Sequence, residues 1–146
     1  TRFGKMKGMG QIVAWSIRDE SHHVESMIKL LHAVLDEMPH VWNDDFKATL
    51  YQICRDMVGL EDKFIDLAFG MGPVEGLNPG EVKQYIRHIA DRRLLQLGLK
   101  PNYGVKENPL EWVDWIVGGV EHTNFFENRS TEYAKGTLTG TWDEAF

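Results

Sequence analysis

From Gly8 to Glu37 apolar residues recur at steps of three and four, a period that predicts one long helix, which Pro39 brings to an end. Its stripe reads Ile12, Ser16, Asp19/Glu20, His23, Met27, Leu30/Leu31 and Val34, apolar at both ends and ionisable in the middle. A stripe of this kind faces a core, so Glu20 and His23 are expected to point inward. Asn43 is the expected cap of a second helix that runs to about Phe69, with Asp44 and Asp45 at the positive end of its dipole. Phe46, Leu50, Ile53/Cys54, Met57, Leu60, Phe64 and Leu67/Ala68 give that helix a core-facing side. Gly70-Met71-Gly72-Pro73 and Gly76 read as a loop.

Asn78-Pro79-Gly80-Glu81 predicts the start of a third helix: a cap, a proline at the first helical position and a capping-box glutamate, with Gly98 as the stop. Arg87, His88, Asp91, Arg92 and Arg93 on it read as a solvated charged face. The same opening recurs at Asn108-Pro109-Leu110-Glu111, before Trp112, Trp115 and Ile116 and a stop at Gly118-Gly119. No strand signal or repeat competes with these periods, and the expected fold class is all-α, a packed helical bundle. Residues 1–122 form its body. Beyond them the period is lost, and 123–146 read as a flexible tail with glycine spacers and an acidic, aromatic end, Trp142-Asp143-Glu144-Ala145-Phe146, suited to docking in a partner's groove.

Composition narrows the class. With 22 acidic and 16 basic residues among 146, the net charge of −6 argues against nonspecific nucleic-acid binding. The single cysteine, Cys54, excludes an internal disulfide and a cysteine-rich zinc site, and fits a reducing, cytoplasmic setting. No apolar run has the length of a membrane span.

The candidate chemistry sits in Trp15-Ser16-Ile17-Arg18-Asp19-Glu20-Ser21-His22-His23-Val24-Glu25. Glu20 and His23, three residues apart, offer a carboxylate oxygen and an imidazole nitrogen from one helix face, and Asp19 and Glu25 lie near enough to join the polar cluster. Spacing alone leaves the readings open: half of a metal site, a structural ion pair, or a partly exposed end of the face. His22 points about 100° away from His23 and reads as a supporting or surface residue. The other E-x-x-H string, Glu37-Met38-Pro39-His40, is broken by Pro39.

Several strings in order carry a resemblance to a known family. Gly4-Lys5-Met6-Lys7-Gly8, Ile17-Arg18-Asp19-Glu20-Ser21-His22-His23, Gly76-Leu77-Asn78, Arg93-Leu94-Leu95-Gln96-Leu97-Gly98-Leu99, Asn108-Pro109-Leu110-Glu111-Trp112 and Asn124-Phe125-Phe126-Glu127-Asn128-Arg129 resemble the C-terminal half of a class I ribonucleotide reductase small subunit. The resemblance implies a ferritin-like bundle and a dinuclear metal centre, Fe/Fe in the first instance with Mn/Fe or Mn/Mn as alternatives. That centre activates oxygen and supplies the radical for reduction of ribonucleotides to deoxyribonucleotides, the work of a ribonucleoside-diphosphate reductase. By the same resemblance Glu20 and His23 are metal ligands, and Asp19 and Tyr133 belong to the radical-transfer relay. Residues 140–146 anchor the small subunit to the large catalytic subunit, and small subunits pair as dimers. The rest of the ligand set is absent from the sequence, and Thr1 opens without a cap. The expectation is therefore a divided small subunit whose N-terminal half chain supplies the other ligands. A non-catalytic helical module that only docks on the large subunit is the alternative.

Overall fold

The structure, a computed structural model, describes residues 6–114 apart from the Lys7 side chain. The tail 123–146, Tyr133, and the Trp115 to Gly119 end of the last expected helix lie outside the described residues. Three helices dominate: α1 (Lys7–Glu37), α2 (Asp44–Gly70) and α3 (Pro79–Gln96), with a single 3-10 turn, Pro39–Val41, between the first two. There is no strand among the described residues. These residues fall into two units divided within α1, between Ser21 and His22. The second unit, from His22 onward, holds the rest of α1 together with α2, α3 and the loop after them.

The helix ends obey the sequence. Asn43 Oδ1 accepts the Phe46 amide at 2.9 Å, and Asn78 Oδ1 accepts the Gly80 amide at 2.7 Å. At the far end of α3, Gly98 takes φ +79°, a left-handed conformation in which a side chain would be strained. It lets Leu99 N–H reach the Leu94 carbonyl at 2.9 Å and Gly98 N–H the Leu95 carbonyl at 3.0 Å. This crossed pair ends the helix and brings Leu94 and Leu99 together as buried neighbours, 2% and 7% exposed.

Packing departs from the periodic pattern in two places. On α2, the side that meets α3 buries Val58 and Ile65, while Ile53, Met57, Leu60, Phe64 and Leu67 are all more than half exposed. The expected core-facing stripe of α2 is thus uncovered among the described residues, because α3 packs on a neighbouring side of the helix. The charged run of α3 is also not a solvated face: only Arg92 is exposed, Arg87, His88 and Arg93 are half-buried, and Asp91 is 3% exposed.

Charge ties α2 to α3 at the edge of this contact. Arg87 donates two hydrogen bonds to the Asp62 carboxylate, at 2.9 and 2.6 Å, and Lys83 reaches Asp66 at 2.7 Å. The hydrogen bond from Arg87 holds the Asp62 carboxyl below its usual range, and burial opposes it only in part. A depressed folded-state value contributes stability at pH above the ordinary carboxyl range and loses it as pH falls through the depressed value. Asp62→Asn is expected to cost about 1 kcal/mol at neutral pH, a bidentate pair discounted for its partial exposure. Urea unfolding should show the gap between wild type and variant closing as the solution is acidified. A gap unchanged by acid would remove Asp62 from the pH dependence.

Candidate metal centre

Both proposed ligands lie on α1 and both are exposed in this chain, as is Asp19. The expectation that Glu20 and His23 point into a core is therefore not met by the described residues. Helical geometry sets Glu20 and His23 about 60° apart around the axis and about 4.5 Å apart along it, with Asp19 about 40° from His23. Within the first unit Met9, Val13, Ser16 and Glu20 are exposed, and within the second His23, Met27 and Leu30, in each case at steps of four and three. Met27 is 63% and Leu30 56% exposed. Apolar side chains that flank two ionisable ones along a seam define a face built to be covered, and an ordinary solvated surface does not have this pattern.

The local surroundings separate Glu25 from the pair. Its carboxylate sits 2.8 Å from Lys29 Nζ, and that hydrogen bond holds it below the usual carboxylate range. Ser21 turns its hydroxyl back to donate to the Ile17 carbonyl at 2.7 Å. Among the described residues no group of three or more His, Cys, Asp or Glu side chains could hold a metal ion. The donor set fits part of a dimetal-carboxylate site, in which each of two helices gives a Glu-x-x-His pair and two more give a Glu. It does not fit a complete one.

A second polar constellation gives little sign of itself in the sequence. Asp91 accepts the backbone amides of Asn102 (2.7 Å), Tyr103 (2.9 Å) and Val105 (3.0 Å), so one carboxylate organises the loop after α3. That loop in turn sets the Tyr103 ring 5.6 Å from the Arg87 guanidinium and the Val105 carbonyl 3.3 Å from His88 Nδ1. The one signal available is positional: Asp91 stands three residues before Leu94, on the buried side of α3.

Comparison with known proteins decides the family. The model of the ribonucleotide reductase small chain matches residues 1–109. The chain belongs to the ribonucleotide reductase small-chain family. It is 50% identical over 97% of its length to the probable ribonucleoside-diphosphate reductase small subunit 048L of Invertebrate iridescent virus 3. It is 35% identical over 90% of its length to the ribonucleoside-diphosphate reductase subunit beta of Chlamydia pneumoniae. The chain spans 38% of the length of each. Among solved structures, the ribonucleotide reductase R2 subunit of Clostridium botulinum superposes with a TM-score of 0.74 at 26% identity, over 80% of this chain and 37% of that one. The all-α, ferritin-like expectation agrees with these likenesses.

Proposed function

We propose that the chain supplies Glu20 and His23 to the dimetal centre of a class I ribonucleoside-diphosphate reductase small subunit. The carrying observation is that Glu20 and His23 are both exposed on α1, with exposed apolar Met9 and Val13 near Glu20 in the first unit and Met27 and Leu30 near His23 in the second. The remaining ligands come from small-subunit polypeptide outside residues 1–146, either continuous with this chain or a separate N-terminal half chain. When bound, the two metal ions, Fe/Fe in the first instance, supply an oxidising equivalent drawn from oxygen. The protein's own part is to hold them: Glu20 gives a hard anionic oxygen and His23 a neutral nitrogen. Asp19, one residue before Glu20, is placed to orient a histidine ligand from outside these residues by accepting its ring N–H.

Residues 1–122 then form part of the bundle, and 123–146 a tail that docks on the large subunit through 140–146. No helix among the described residues is long and apolar enough to cross a membrane. Metal content of the assembled small subunit, wild type against Glu20→Ala, tests the site. The relay has its own test. Tyr133→Phe keeps the ring and removes the phenol hydrogen, so it is expected to abolish turnover while leaving assembly with the large subunit intact. Turnover at the wild-type rate would take Tyr133 out of the relay.

A further inference from the structure

A cavity of about 610 Å³ lies between α3 and the loop that follows it, wholly within the second unit. Leu95 of α3 and Pro101 and Val105 of the loop give it an apolar wall, and Leu95 is more than half exposed there. Arg92 lines it from the helix and Lys106 from the loop. The two sides are tied to each other. Asp91 accepts the amides of Asn102, Tyr103 and Val105, and His88 Nδ1 lies 3.3 Å from the Val105 carbonyl. These hydrogen bonds set the distance between α3 and residues 102–105, so the cavity is formed before anything enters it.

Its charges are unevenly satisfied. Asp91 also lines it, but that carboxylate is 3% exposed and both of its oxygens are taken up by loop amides. Arg92 and Lys106 are exposed, and among the described residues no ion pair joins either of them to a carboxylate. Two unpaired cations beside an apolar wall form a local surplus in a chain whose net charge is −6.

We propose that this cavity binds a small organic phosphate, with its apolar or aromatic body against Leu95, Pro101 and Val105 and its phosphate between Arg92 and Lys106. A phosphate monoester carries about 1.5 to 2 negative charges at neutral pH, enough to answer both cations. Its three oxygens accept from a guanidinium fork and an ammonium at once. A carboxylate brings only half of that charge. The cavity shares no residue with the proposed metal pair, and the inference does not rest on metal.

The test is calorimetric titration of the complete small subunit with three probes: 1-naphthyl phosphate, 1-naphthoate and inorganic phosphate. The first is expected to bind once per chain and at least about tenfold more tightly than either of the others, since each of them lacks one half of the recognition. Arg92→Gln and Lys106→Gln, both at exposed positions, should each weaken it by about tenfold. Arg55→Gln, which removes an exposed cation outside the cavity, should leave it unchanged. Absence of binding would mean that the cavity is closed in the complete subunit, and it overturns the proposal. Equal affinity for inorganic phosphate or for naphthoate also overturns it, as does an affinity that survives either cavity substitution or falls as far with Arg55→Gln. None of these readouts involves metal. Loss of metal in Glu20→Ala with phosphate binding intact would uphold both readings, and a subunit that binds the phosphate but no metal would refute the dimetal reading alone.

Discussion

Glu20→Ala should lower the metal affinity of the assembled small subunit by at least about a hundredfold. Loss of residues that merely support ligands already costs about ten- to a hundredfold, and here the proposed ligand itself is removed. The alanine leaves a long helix whose other residues on this seam are unchanged, so α1 is expected to form as before. Elemental analysis after gel filtration measures the effect, with Glu25→Ala as the control, because Glu25 is engaged with Lys29 and stands outside the seam. Loss of metal in Glu20→Ala and retention in Glu25→Ala is the expected outcome. Full metal content and full reductase activity in Glu20→Ala would leave the docking-module reading in its place. The pair is exposed among the described residues, so the experiment belongs to the assembled small subunit.

The second large effect is on stability. Asp91→Ala removes the one acceptor of three backbone amides and leaves Asn102, Tyr103 and Val105 without it in a half-buried loop. Hydrogen bonds to a charged acceptor contribute about 1.5–3 kcal/mol each, and water can re-satisfy part of a half-buried loop, so a loss of about 3 kcal/mol is expected. The consequence spreads. Tyr103 is held beside Arg87, and Arg87 clamps α2 through Asp62, so the loop supports the α2–α3 contact from the side. Amide hydrogen exchange gives the local readout. Protection at 102, 103 and 105 should collapse in Asp91→Ala and fall less in Asp91→Asn, which keeps a neutral acceptor. Unchanged exchange at these three amides would mean that the carboxylate does not hold the loop.

Much of the fold is legible in the residues because helix ends are local events. Asn43 and Asn78 cap where they stand, Pro39 stops α1, and Gly98 closes α3 because only glycine takes its left-handed backbone without strain. The Glu20 and His23 pair is equally legible, since a helix fixes which residues share a face. Companion ligands of the kind proposed would not be, because side chains brought by other polypeptide leave no trace in this chain's spacing. The acidic, aromatic tail and Tyr133 remain a reading of the sequence, outside the described residues.

Three helices, their boundaries and the family were all written in the order of the residues. A period of three and four records that a face is apolar, but it does not record what lies against that face. It took the packing of the helices to show that α2 turns Val58 and Ile65 to α3 and leaves the Ile53 to Leu67 seam open. Packing likewise put Asp91 in the interior as the anchor of a loop, where the pattern had suggested a charged surface. The physical reason is common to both. Burial depends on which elements are present to meet, and a carboxylate is kept inside when amide donors from distant residues converge on it.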